Sequence, residues 1–95
     1  MNDTQPTFRQ VDTATAVGMA NDGYRVIDVR EPAEWDAGHV AGATLVPLAD
    51  LTQRIADVAP DRDAPLLLHC ASGARSSRAA GWLVQMGYTD VVNLN

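Results

Sequence analysis

Lysine is absent from this chain of 95 residues, cysteine occurs once, and the aromatic set is two tryptophans, two tyrosines and one phenylalanine. A lone cysteine forms no internal disulfide, and with two histidines it makes a poor metal set, so no metal site is expected. No apolar stretch approaches the length of a membrane span. Met1 to Gln10 lack the apolar centre of a signal peptide, so a cytoplasmic address is expected. Seven arginines face twelve acidic residues, for a formal net charge of −5. So acidic a chain is not expected to bind nucleic acid or an anionic membrane surface. The length suits one domain with a modest core, ordered from about residue 7 to residue 95.

What is present alternates. Phe8 to Val11 reads as an edge strand, and Asp12 is placed to cap a helix over Thr13 to Ala20, closed by Asn21-Asp22-Gly23. Tyr24 to Val29 reads as a strand covered on both faces, followed by a helical turn from Pro32 through Trp35 and Asp36 to Gly38. Ala43 to Val46 is a third strand stopped by Pro47. Leu51, Ile55 and Val58 recur at helical spacing, which predicts a helix over Ala49 to Val58. Leu66 to His69 is the central strand. Ala74 to Gly87 is an amphipathic helix with Ala79, Ala80, Leu83, Val84, Met86 and Gly87 on one face and Arg78, Gly81 and Gln85 opposite. Asp90 to Leu94 is the fifth strand. This order predicts an α/β fold, a five-stranded, mainly parallel sheet with helices on both faces, whose ligands sit beyond the carboxyl ends of the strands.

Cys70 lies at such an end, between a buried strand and a helix start. Free cysteine is often a buried, inert thiol. Here a glycine-bearing loop and a helix N-terminus follow it, and unpaired backbone N–H groups there favour a thiolate and a second anion beside it. Gly73 supplies freedom for the loop to curl, and the small side chains of Ala71, Ser72 and Ala74 leave it open. Ser72 and Ser76 are candidates to donate to a bound anion or to cap the helix. Arg75 either orients an anionic donor or braces the loop by pairing with Asp28 or Glu31. Arg78 reads as solvated near the entrance. Asp28 and Arg30, at the same end of the sheet, read as a supporting ion pair. His69 should point to the face opposite Cys70. His39 suits a structural hydrogen bond, and Trp35 and Trp82 suit packing.

Three segments then resemble the rhodanese-homology domains in their single-domain sulfurtransferase form. They are Val26-Ile27-Asp28-Val29-Arg30-Glu31-Pro32 with Glu34-Trp35, Gly38-His39-Val40-Ala41-Gly42-Ala43 with Pro47-Leu48, and Leu68-His69-Cys70-Ala71-Ser72-Gly73-Ala74-Arg75-Ser76. The resemblance implies a catalytic Cys70 that takes a sulfane sulfur from a donor such as thiosulfate and holds it as a persulfide. It passes that sulfur to a thiol, cyanide or a carrier protein. The implied cradle is Ala71, Ser72, Gly73, Ala74, Arg75 and Ser76, with no metal or organic cofactor.

Two departures from the family pattern stand out. Ala71 occupies a position that is basic or bulky in many members. The usual Gly-Gly turn and closing helix do not follow the fifth strand, so the expectation is either that the sequence stops short of the full domain or that apolar surface is covered by another copy or a partner. A phosphatase or arsenate reductase is the competing enzyme reading. That pattern places five residues between cysteine and arginine, and this chain has four, Ala71 to Ala74, which suits one sulfur better than a tetrahedral oxyanion. A non-catalytic binding or sulfur-carrier module is the alternative outside enzymes.

Overall fold

A computed structural model describes residues 8–95. The polar start that bears on cellular address, and residue 7 of the expected ordered core, therefore lie outside the described residues. The elements are β1 (Arg9–Val11), α1 (Thr13–Asn21), β2 (Arg25–Asp28), α2 (Pro32–Asp36), β3 (Thr44–Leu45), a 3-10 turn (Leu48–Asp50) leading into α3 (Leu51–Val58), β4 (Leu66–His69), α4 (Ala74–Gln85) and β5 (Val91–Leu94). The five strands form one sheet in the order β1-β5-β4-β2-β3, and every pairing is parallel.

Successive side chains of a strand face opposite ways, and β4 shows what that does here. Leu66 and Leu68 enter a core with Ile27, Val29, Leu51, Ile55, Ala79, Ala80 and Leu83, which is the face covered by α3 and α4. Leu67 enters a smaller core with Ala16 and Val92, covered by α1. Helices thus lie on both faces, as the alternation of elements requires. β4 is buried along its whole length, as expected for a central strand of a parallel sheet.

The boundaries differ from the expected ones for local reasons. Asp12 caps α1, its Oδ1 accepting from the Thr15 N–H at 2.9 Å, and the helix runs one residue further, to Asn21. β3 is only two residues long. The chain still follows β2 beyond it, since Val46 N donates to Asp28 O and Leu48 N to Val29 O. The turn before α3 is 3-10, so the α-helix begins at Leu51 and not at Ala49. α4 ends at Gln85, because Gly87 takes φ +100° and the Gly87 and Tyr88 N–H groups close back onto Val84 and Leu83. Gly81, expected on the polar stripe, is half-buried, with Phe8 where a Cβ would point.

Across the α1 face, Val17 and Val40 are the exposed large apolar side chains among the described residues. They line a shallow groove of about 140 Å³ with Leu67, Leu94 and His69. Among the described residues no helix is long and apolar enough to cross a membrane.

Candidate active site

β4 carries Cys70 to the carboxyl edge of the sheet, and the chain turns through Ala71 to Gly73 into α4. Gly73 makes the turn possible: its φ is +94°, a left-handed conformation that costs a residue with a Cβ. A Cβ there would also lie 3.1 Å from Asn95 Oδ1. The first turn of a helix leaves N–H groups unpaired, and here the sulfur takes them. Cys70 Sγ accepts from Gly73 N at 3.1 Å, from Ser76 N at 3.4 Å and from the Ser76 hydroxyl at 3.4 Å.

Partial burial pushes the thiol pKa up. The hydroxyl and N–H of Ser76, then the N–H groups of Gly73 and Ser72, outweigh that and hold it below the ordinary thiol value. Ser76 is fully buried and Cys70 half-buried, so the donors are fixed while the sulfur remains reachable. Ala71, Ser72 and Ala74 are exposed around it.

Arg75 does brace the loop, but its partner is neither Asp28 nor Glu31. Its Nη1 and Nη2 donate to Glu34 Oε1 and Oε2 at 2.7 and 2.9 Å, a bidentate pair between α4 and α2. Glu34 Oε1 also accepts from Glu31 N at 2.9 Å, so one carboxylate ties off the start of α2 and the start of α4. The Arg75 guanidinium, with the Glu31 N–H, lowers the Glu34 pKa to about 2. The Arg75 pKa is raised in turn. Sequence reasoning passed over Glu34 because its partner lies 41 residues away. The Glu31–Glu34 spacing at the start of a Pro-led helix was the available signal.

Asp28 and Arg30 form the expected pair. Arg30 Nη2 lies 2.8 Å from Asp28 Oδ2, its Nε donates to both carboxylate oxygens at 3.0 Å, and its Nη2 also donates to Gly38 O at 2.8 Å. Burial raises the Asp28 pKa, but the side chain and backbone N–H of Arg30, helped by His69, leave it below the ordinary value. His69 pairs in register with Asp28 and shares the groove on the α1 face with Leu67, opposite the core that Cys70 packs against. Its Nε2 is 3.6 Å from Asp28 Oδ2 and has no hydrogen-bond partner among the described residues. His39 stacks on Trp35 at 3.5 Å and its Nδ1 lies 2.9 Å from Trp35 O, a structural arrangement.

Asn93 is a second residue that sequence reasoning missed. Fully buried in β5, it donates from Nδ2 to Gln10 Oε1 at 3.2 Å and at 3.5 Å to Gly73 O, beneath the loop. A polar side chain in the run Val91-Val92-Asn93-Leu94 was the only hint. Among the described residues, no group of three His, Cys, Asp or Glu side chains could hold a metal ion.

Residues 13–95 match the rhodanese-like domain family. This chain belongs to that family. The rhodanese-like domain is 33% identical over 89 residues to thiosulfate sulfurtransferase GlpE of Pseudomonas paraeruginosa, covering 94% of this chain and 79% of that protein. It is 44% identical over 75 residues to the uncharacterized protein YqhL of Bacillus subtilis, covering 76% of this chain but only 58% of YqhL. Among solved structures it is similar to a rhodanese with anions from E. coli, at 38% identity and a TM-score of 0.71, covering 74% of this chain and 82% of that one. The family match and the relative named thiosulfate sulfurtransferase support a rhodanese-type sulfurtransferase at the level of the family.

Proposed function

We propose that this rhodanese-like domain is a sulfurtransferase that carries sulfur as a persulfide on Cys70. The observation that carries the reading is the position of Cys70 Sγ, which accepts from two backbone N–H groups and one hydroxyl at the start of α4. The thiolate attacks the outer sulfur of a sulfane donor. The donor's S–S bond breaks, and its electron pair leaves with the remainder, sulfite when the donor is thiosulfate. An acceptor thiolate, cyanide or a carrier protein then attacks the outer sulfur, and Cys70 leaves as the thiolate. Its lowered pKa assists both steps, as nucleophile and as leaving group. Neither step needs a general base, an added cofactor or a metal ion. The loop N–H groups that hold the thiolate also suit a bound anion. A thiol that must stay free between turnovers suits a reducing compartment such as the cytoplasm.

Phosphate chemistry is disfavoured by the arginine. In the phosphatase reading the guanidinium at the end of the loop holds the oxyanion, and here Arg75 is engaged at both ends by Glu34. Whole-protein mass spectrometry after incubation with sulfane donors tests the proposal. We expect one added sulfur on the wild type, removable by cyanide or dithiothreitol, and none on Cys70→Ser. An unmodified wild type across several donors would overturn it in favour of a non-catalytic module. Turnover of an aryl phosphate would overturn it in favour of a phosphatase.

A further inference from the structure

The charges around the Cys70 loop are already spent on one another. Glu34 holds both terminal nitrogens of Arg75, and Asp28 with the Gly38 carbonyl holds Arg30. Glu31 is exposed next to Glu34 and adds a third carboxylate to the same cluster, close enough to Arg75 to act on its charge. Three carboxylates thus stand against two guanidiniums, before the charge of the Cys70 thiolate is added. Arg78, on the next turn of α4, is exposed and makes no ion pair among the described residues, so its charge is screened by solvent. The exposed loop side chains, Ala71, Ser72 and Ala74, carry no charge. What the loop offers is a set of N–H groups aimed at the sulfur of Cys70 itself.

A donor with a doubly charged, oxygen-rich leaving portion finds no unpaired cation in the loop itself, Arg78 lying a turn beyond it, and meets a rim bearing Glu31 and Glu34 that repels it. A hydropersulfide, R–S–SH, brings its terminal sulfur with at most one charge and no anionic oxygens. We infer that the sulfur donor of this domain is a hydropersulfide of an uncharged or weakly charged thiol and not thiosulfate. This rests on the sulfurtransferase reading and narrows its substrate. The Cys70 thiolate attacks the terminal sulfur of R–S–SH, and a new S–S bond to Cys70 forms as the S–S bond of the donor breaks. The electron pair leaves as R–S⁻, which takes a proton from water, and Cys70 carries –S–SH. No net oxidation or reduction occurs.

Rapid-quench mass spectrometry of the full chain, loading Cys70 from thiosulfate or from the hydropersulfide of 2-mercaptoethanol, tests the inference. The hydropersulfide should load the wild type at least about tenfold faster. Thiosulfate loading should speed up as ionic strength rises, because salt screens repulsion from the rim. Ala71→Arg, which adds an unpaired guanidinium to the loop, should raise the ratio of thiosulfate to hydropersulfide rates by about tenfold, and the neutral Ala71→Gln should not. The inference is overturned if thiosulfate loads as fast as the hydropersulfide, if salt slows thiosulfate loading, or if Ala71→Arg leaves the ratio unchanged. Any of these leaves the sulfurtransferase proposal standing. Failure of both donors to load Cys70 overturns both.

Discussion

Ser76 does two jobs at the base of the loop. Its hydroxyl reaches Cys70 Sγ at 3.4 Å and Gly73 O at 3.3 Å, and its N–H reaches the sulfur at 3.4 Å. The hydroxyl leads the interactions that lower the Cys70 pKa against the opposing effect of burial. Ser76→Ala removes the hydroxyl and keeps the N–H, so the pH midpoint of Cys70 alkylation should move upward. The rate at neutral pH should fall by about threefold to tenfold. Iodoacetamide kinetics across the pH range, on wild type and variant, measure both. An unchanged midpoint would mean that the backbone alone sets the thiolate. At this scale Cys70 and Ser76 were legible in the sequence, since a thiol between an apolar strand and a helix start defines a geometry. The partner of Arg75 was not, because Asp28, Glu31 and Glu34 stand within a few residues and only the angle of α2 decides which carboxylate arrives.

At the scale of elements, α2 and α4 are held together by the Glu34–Arg75 pair, the contact that steadies the loop from outside. Its pH dependence has a defined sign. The Glu34 pKa is about 2 in the folded protein against 4.5 without its partners. Between those values the unfolded chain binds the proton and the folded chain does not, so stability rises with pH there. The contribution is fully present above pH 4.5 and is lost as pH falls through about 2. Thermal melts of wild type and Glu34→Gln across this range should converge toward the acid end and separate above it, with the wild type the more stable. The wild type should keep no advantage where Glu34 is protonated. α3 and α4 were readable from their apolar spacing. Their ends were not, because a 3-10 turn after Pro47 and a left-handed Gly87 are decided by how the next segment packs.

Over the whole molecule, β4 supports everything else. It lies between β5 and β2, its side chains feed both cores, and its last residue precedes Cys70. A domain of this size has little stability to spare. Leu68, two residues before Cys70, is fully buried in the larger core. Leu68→Ala should therefore cost about 2–5 kcal/mol in a urea melt, by lost transfer energy and the cavity left behind. Loading of Cys70 should fall with the folded fraction and not by a separate effect on the thiol.

Local patterning alone determined the alternation of strands and helices, the buried central strand and the placing of Cys70 between that strand and a helix start. Apolar periodicity, capping residues and glycine placement act over a few residues and leave their mark in order. Tertiary structure alone decided that Glu34 would claim Arg75, that Asn93 would reach under Gly73, and that the loop would be left without a free cation. Those outcomes depend on side chains from distant elements meeting at one edge of the sheet. Their distances follow from packing, which spacing along the chain does not encode.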